Sequence, residues 1–376
     1  MSVYLDCNAT TPVEPRVAAR VMEFLRDEFG NAGSRTHEYG LRAKRATQEA
    51  REQVAHVVDA GADEVVFTSG ATESNNLAIL GLEKFGVETN RRHIISTAIE
   101  HKAVLEPLGV LANRGFDVTL IPPTTGGWVE ADAIRDAVRP DTLLVSVMHV
   151  NNETGVTQPV EEIAQALETS DAMFHVDAAQ GFGKNIPALQ NPRIDLISVS
   201  GHKIYGPKGV GALITRRRGY ERLPLAPLMF GGGQERGLRP GTLPVQLIVG
   251  FGLAAELALK ESESRQRVCA DYRTQALAAL SPLGPDFNGD QARVQPHVMN
   301  LSWAGLDSEA LMVSLKDLVS VSNGSACTSQ SYEPSHVLKA MGLPEDQAKG
   351  AVRISWSHLT EALDWQDVAT RIRSLQ

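Results

Sequence analysis

The sequence predicts an α/β protein: a mainly parallel, seven-stranded sheet between helices, joined to a smaller α+β part. Three observations lead there. Short β-branched runs alternate with amphipathic segments through the middle of the chain. Several of those runs are apolar on both faces, as strands covered by helices on both sides must be. Beyond a long helix expected at about 244–263, the alternation gives way to a different order of strands and helices.

The elements follow in chain order. Helices are expected at about 14–28 and 37–58, packed beside the smaller part or joined to the larger. Strands are expected at 64–69 (EVVFTS), 93–97 (HIIST), 117–121 (DVTLI), 142–150 (TLLVSVMHV), 172–177 (AMFHVD), 195–200 (DLISVS) and 211–215 (GALIT). Helical segments near 73–85, 101–113, 130–137 and 160–168 lie between most of them. The 244–263 helix reads as a bridge. The smaller part then carries strands at 298–303, 319–322 and 352–356, with helices near 307–316, 333–341 and 361–375. The division expected is 14–258 for the larger domain and 1–13 with 259–376 for the smaller. Active sites of such sheets gather at the carboxyl ends of the strands.

Composition narrows the function. The 376 residues include 36 Lys+Arg against 45 Asp+Glu, a formal charge of −9, which disfavours non-specific binding to nucleic acid or anionic membrane. Hydrophobic residues at 43% and charged residues at 22% argue for a globular chain. Cys7, Cys269 and Cys327 are too few and too dispersed for a disulfide framework or a zinc cluster, and fit a reducing cytoplasm. No apolar run approaches a membrane span, and the start MSVYLDCNATTP lacks the plan of a signal peptide.

Several residues could carry chemistry. Lys203, in Ser200-Gly201-His202-Lys203, follows an apolar strand; a partly desolvated amine there can form a Schiff base, although a lysine after a strand is more often solvated. Asp177 ends another strand and Gln180 follows it. That carboxylate either caps the next helix or pairs with a pyridine nitrogen. Ser69-Gly70-Ala71-Thr72 joins a strand to a helix, where free N–H groups and a hydroxyl suit a phosphate, or where the threonine simply caps the helix. His101 opens a helix after Glu100. Gly231 to Gly233 and Gly241-Thr242 bracket Arg236 and Arg239 in a stretch suited to a flexible loop or a close approach to a ligand. Cys327, among small polar residues in SNGSACTS, suits a reactive thiol on a mobile loop. Arg353, in the apolar run VRISW, wants a carboxylate from the protein or from a substrate. The basic run Arg216-Arg217-Arg218 reads as solvated surface.

Taken in order, LDCNATTP, FTSGATESNN, EHKAVL, HVNNETG, HVDAAQ, SGHKIYGPKG, GGGQERGLRPGT and SNGSACTS resemble the cysteine desulfurases of the longer-loop group. These are enzymes of the aspartate aminotransferase fold type (fold type I) that depend on pyridoxal 5'-phosphate (PLP). The resemblance implies that L-cysteine becomes L-alanine and that Cys327 takes the sulfur as a persulfide for an acceptor protein. It implies that Lys203 holds PLP, Asp177 pairs with the ring nitrogen, Gln180 bonds the phenolic oxygen, and His101 stacks on the ring and handles protons. Ala71, Thr72, Ser200 and His202 would bind the phosphate, with Thr242 arriving from the second subunit of a homodimer. Asn152 and Arg353 would grip the substrate carboxylate.

The sequence also departs from the family pattern. Cys7 and Asn8 replace the usual residues after the first aspartate, with only a local packing effect expected. Asn31-Ala32-Gly33-Ser34 also differs. Ile354-Ser355-Trp356-Ser357-His358 replaces the family's run after the arginine, so that Trp356 and His358 are expected to reshape the substrate mouth. The cysteine loop and the short tail after Arg353 are similar to desulfurases of bacterial DNA phosphorothioate modification, which leaves that route and iron–sulfur assembly both open. In either case a protein partner, not DNA directly, is expected to collect the sulfur. Selenocysteine lyase, aminotransferase and a non-catalytic sulfur-relay scaffold are the competing readings.

Overall fold

Seven strands form the central sheet in a computed structural model, which describes residues 2–323 and 334–376. They are β2 (Val65–Thr68), β3 (His93–Thr97), β4 (Asp117–Ile121), β5 (Thr142–Met148), β6 (Met173–Asp177), β7 (Leu196–Ser200) and β8 (Gly211–Thr215). A short strand, β1 (Val3–Tyr4), precedes them. The spatial order is β2-β8-β7-β6-β5-β3-β4. β8 runs antiparallel to both β2 and β7, and the other neighbours run parallel. The chain between β7 and β8 has no crossover helix, only a 3-10 turn at Gly201–Lys203, so it can return only as an antiparallel neighbour.

Alternation along the strands builds two cores. Val65, Phe67, Val145, Ile197, Ala212 and Ile214 face one side. Val66, Leu144, Leu196 and Leu213 face the other. The first face is covered by α2 (Glu38–Val57), α7 (Val160–Ala166) and α8 (Val245–Lys260), through residues such as Val54, Ile163 and Phe251. The second is covered by α3 (Ala71–Leu80) and α5 (Lys102–Ala112), through Leu77, Ile79, Val104, Leu108 and Leu111. α1 (Pro15–Arg26) and α2 both pack on α8, and α6 (Ala131–Ala137) packs on α7. The helix expected at 73–85 ends instead at Leu80, and α4 (Glu83–Glu88) follows it.

A further core forms around an antiparallel sheet in which β10 (Val298–Ser302) lies between β12 (Val352–Ser355) and β9 (Asp286–Phe287). Nearby, β1 pairs with β11 (Val319–Ser320). Met299, Leu301, Ile354 and Trp356 pack there with α9 (Ser262–Leu280), α10 (Ser308–Leu315) and α13 (Trp365–Arg373). The short helices α11 (His336–Ala340) and α12 (Glu345–Lys349) complete the chain. The expected 244–263 helix stops at Lys260 because the backbone turns at Glu261, whose carboxylate is held by Arg16 and Arg265; α9 then starts afresh.

The basic run is not simply a solvated surface. Arg216 is buried and donates to the carbonyls of Asn191, Ile194, Val58 and Leu189, while Arg218 pairs with Asp195. A guanidinium carries five donors, and here its bonds tie the end of α2 at Val58 to the 189–194 segment. Among the described residues, no helix is long and apolar enough to cross a membrane.

Candidate active site

The carboxyl ends of β2, β3, β5, β6 and β7 open on one cavity of ≈580 Å³. It is lined by Ala71, Thr72, His101, Asn152, Asp177, Gln180, Ser200, His202, Lys203 and Arg353. Ten of the residues singled out from the sequence therefore meet in one place. Thr242 is exposed and does not line the cavity of its own chain. Cys327 lies outside the described residues.

Lys203 reaches the cavity because the 3-10 turn after β7 projects it off the strand end. Its ammonium donates to the carbonyls of Asn8 (2.5 Å) and Ala9 (2.8 Å). The strip carrying those carbonyls is pinned on both sides. Cys7 N donates to Ser355 O (3.0 Å), and Asn8 N to Ser355 Oγ (2.9 Å). Thr11 donates to His202 O through both its N–H (3.1 Å) and its hydroxyl (3.0 Å). Asn8 does more than the local packing expected of it: it lines the cavity, and its carbonyl accepts from both Lys203 and Gln180 (2.8 Å).

Asp177 ends β6, nearly buried, and both its oxygens are in use. Oδ1 accepts from Ala179 N (3.0 Å), which is the local turn expected of a carboxylate after a strand. Oδ2 accepts from Nδ2 of Asn75 (2.8 Å), a fully buried side chain on α3. Two N–H donors aimed at the two oxygens hold the carboxylate in one orientation.

The anion corner forms at the start of α3. Gly70 has φ 154° and ψ −179°, a conformation open essentially to glycine alone, and its position carries no side-chain cap. The first N–H groups of α3 therefore face the cavity beside Thr72 and Ser200. A side chain at Gly211 would come within 2.7 Å of Gly70 Cα, so β8 must present a glycine for the loop to lie this close. His202 contacts Thr10 Oγ1 (3.1 Å); burial, with Lys203 and Lys208 nearby, pushes its pKa down to about 4, so its imidazole is neutral near pH 7. Lys208 also lines this corner.

On the opposite side, β5 runs into the turn 151–155. Asn151 Oδ1 accepts from Glu153 N and Thr154 N (2.9 Å each), and Gly155 takes φ 76° where a Cβ would strike Val298 Cγ1 at 2.1 Å. That turn presents Asn152, whose carbonyl accepts from Arg353 Nη1 (2.9 Å) and Asn8 Nδ2 (3.2 Å). Arg353 also finds a carboxylate within the protein: Nη2 donates to Asp6 Oδ1 (2.6 Å).

His101 caps α5 through Nδ1, which accepts from Ala103 N (3.1 Å). Glu100 beside it is 0% exposed. Its Oε1 accepts from Thr97 Oγ1 (2.7 Å) and Met148 N (2.8 Å), and Oε2 has no partner. Burial outweighs those two bonds and raises its pKa to about 8, with the charge on Asp177 acting in the same direction. A group whose folded pKa is raised stabilises the fold fully below its unfolded value of about 4.3, and that contribution is lost as pH rises through about 8. Glu100→Gln should therefore melt roughly 2–5 °C above the parent at pH 8, with the advantage shrinking steadily as pH falls and vanishing below about pH 4. Thermal melts across that window check this; a parallel offset at every pH would refute it.

Sequence reasoning passed over Asn8, Asn75, Glu100 and Lys208. The available signal for Asn75 was a polar residue on the apolar face of a helix, beside Leu77, Ala78 and Ile79. Conversely, Trp356 and His358 do not shape the cavity. Trp356 points into the core of the smaller sheet, donating to Cys269 O (3.0 Å) beside Tyr272, and His358 lies edge-on to Tyr205. Both follow the inward-facing side of β12, away from Arg353.

The donor set fits PLP. Lys203 supplies an amine, Asp177 an ordered carboxylate, and α3 an anion corner. Asn8 Oδ1, Asn75 Oδ1, Gln180 Oε1 and Arg353 Nε, all on residues of this cavity, are buried without a partner, as polar groups around a ligand site are. Fold and site together define the class of PLP-dependent enzymes of fold type I.

The comparisons agree. The family model described as aminotransferase class-V matches residues 3–368. The cysteine desulfurase IscS of Methylococcus capsulatus is 46% identical over 97% of this chain and 90% of its own length. Among solved structures, DndA from Streptomyces lividans is 54% identical, covering 93% of this chain and 98% of that one, with a TM-score of 0.83. SspA in complex with cysteine is 37% identical, covering 94% and 98%, with a TM-score of 0.83. The chain belongs to the PLP-dependent class-V aminotransferase family and, within it, to the cysteine desulfurases.

Proposed function

We propose that this protein converts L-cysteine to L-alanine and leaves the sulfur as a persulfide on Cys327. The observation that carries this reading is the single cavity in which Lys203, Asp177 and His101 face Arg353 and Asn152, in a chain that groups with cysteine desulfurases. When bound, PLP supplies an electron-withdrawing ring that stabilises negative charge at the substrate's α-carbon.

The chain's own residues do the rest. Lys203 holds the cofactor and Asp177 keeps a proton on its ring nitrogen. Gln180 still has one amide hydrogen left to offer the phenolic oxygen, since the other goes to Asn8 O. His101 stacks on the ring and moves protons. The α3 terminus at Ala71 and Thr72, with Ser200 and His202, holds the phosphate; Lys208 adds charge there. Arg353 and Asn152 grip the substrate carboxylate, which orients the β-carbon and its sulfur. The Cys327 thiolate then bonds to the substrate sulfur as the Cβ–S bond breaks, and the electron pair remaining on the carbon side takes up a proton to give alanine.

The same reading extends to assembly. Residues 14–258 act as one domain, with 1–13 and 259–376 as the other. The active unit is a cytoplasmic homodimer in which the partner copy's Thr242 reaches the phosphate. The sulfur passes to a protein acceptor, with no direct contact to DNA or membrane. Of the two routes left open, DNA phosphorothioation is favoured over iron–sulfur assembly; the cysteine-loop motif and the higher identity to DndA than to IscS support this.

The test is an assay of alanine and protein-bound persulfide from L-cysteine without reductant, with Cys327→Ser alongside. Both products from the parent and neither from the variant are expected. A cofactor-loaded parent that releases no alanine would sink the substrate assignment.

A further inference from the structure

The proposed carboxylate grip raises a question that neither the family relationship nor the proposed roles answer: what holds Arg353 in place. Its side chain is only 4% exposed. A buried guanidinium needs a counter-charge and fixed acceptors, or it is costly and poorly directed. Its Nη1 donates to Asn152 O (2.9 Å). Its Nη2 donates to Asp6 Oδ1 (2.6 Å) and to Ser322 Oγ (3.0 Å), and the Ser322 hydroxyl in turn donates to the same Asp6 oxygen (3.1 Å). The three side chains close a triangle. Arg353 and Ser322 are also joined by a two-way backbone bridge, and Asp6 is bridged to Ser355 on the same strand. The triangle therefore sits on rigid backbone at each corner.

We infer that Asp6 is a positioning residue for substrate recognition: it fixes the Nη2 edge of Arg353 so that the rest of the guanidinium is directed at the substrate's α-carboxylate. The inference rests on Arg353 being the carboxylate grip. Asp6 is 18% exposed against the arginine's 4%, and does not itself line the cavity, so it acts through Arg353 and not on the substrate. Its position is the first aspartate of LDCNATTP, the motif whose Asn8 and Ala9 carbonyls hold Lys203. A pair of this kind directs a planar donor fork, which a missing acceptor at position 6 would leave free to rotate.

The consequence is selective. Asp6→Ala should raise the KM for L-cysteine about 10-fold while kcat stays within about 2-fold, because only ground-state and transition-state binding of the carboxylate is lost. Asp6→Asn, which keeps an oxygen acceptor for Nη2, should recover most of that loss. Ser322→Ala should show a smaller change in the same direction.

The decisive readout is binding. Calorimetry on the PLP-loaded Cys327→Ser protein compares L-cysteine with cysteamine, which lacks the carboxylate. Asp6→Ala should weaken L-cysteine about 10-fold and leave cysteamine unchanged. Equal weakening of both ligands, or no change in either, overturns the inference. Arg353→Ala in the same background separates the two levels of the argument. If it weakens L-cysteine and Asp6→Ala does not, only the positioning role fails. If Arg353→Ala has no effect, the carboxylate grip fails and the role of Asp6 with it.

Discussion

Lys203→Arg is expected to give a folded protein whose turnover of L-cysteine is lower by roughly four orders of magnitude or more. The two bonds that hold the Lys203 ammonium, to Asn8 O and Ala9 O, are both donated by nitrogen, and a guanidinium can make them as well. The fold therefore keeps its contacts. Asn8 O also retains its bond from Gln180, so in Lys203→Ala that carbonyl still has a donor. What arginine cannot do is shed its proton near neutral pH, so it offers no nucleophilic nitrogen to hold the cofactor or to shuttle a proton at the α-carbon. Mass spectrometry after borohydride reduction should find the cofactor fixed to Lys203 in the parent and absent from both variants. A variant that keeps even one-tenth of the parent's alanine output would place the essential amine elsewhere.

Asp177→Asn should lower kcat by roughly three orders of magnitude, and the cause reaches beyond the lost charge. Both oxygens of Asp177 accept from N–H donors, Ala179 N and Asn75 Nδ2. An amide has one oxygen, so whichever way it turns, one donor faces another donor in a buried site. That costs about 1–3 kcal/mol of stability and swings the side chain off its present line. On the role proposed for Asp177, the ring nitrogen of the cofactor at the same time loses the carboxylate that holds its proton. Two observables follow: a melting temperature below the parent's, and a pH titration of the cofactor's visible absorption that shifts to lower pH. Adding Asn75→Asp to Asp177→Asn restores an acceptor for the amide and should recover stability before it recovers rate. If the single variant turns over L-cysteine within about 10-fold of the parent, the aspartate is only a turn cap.

Much of this was legible in the chain. The seven strand positions of the central sheet follow from β-branched runs apolar on both faces, and strands such as 93–97, 117–121 and 211–215 appear where the pattern sets them. Most of the site residues were legible for a related reason: they lie at the end of such a run or within five residues after it. Knowing where a strand ends is enough to place Lys203, Asp177 and Asn152 on the same edge of the sheet. Segments whose outcome depends on distant partners were not legible. The turn at Glu261, which splits one expected helix from α9, is held by Arg16 from the far end of the chain. Arg216 looked like surface because its acceptors are backbone carbonyls, which carry no sequence signature. Trp356 and His358 were misplaced because strand alternation fixes two possible faces without saying which one meets the cavity.

The sequence by itself determined the layered α/β class, the strand ends that gather the site, and the family whose chemistry the site fits. These depend on local periodicity and on residue types close together in the chain, which a linear reading contains in full. Only the tertiary structure decided that β8 runs antiparallel, that Asn75 orders Asp177, that Asn8 and Ala9 hold Lys203, and that Asp6 and Ser322 hold Arg353. The hydrogen bonds among them join residues from 31 to 347 positions apart. They are set by which polar groups come within hydrogen-bond range once the cores have closed, and no local propensity encodes that distance.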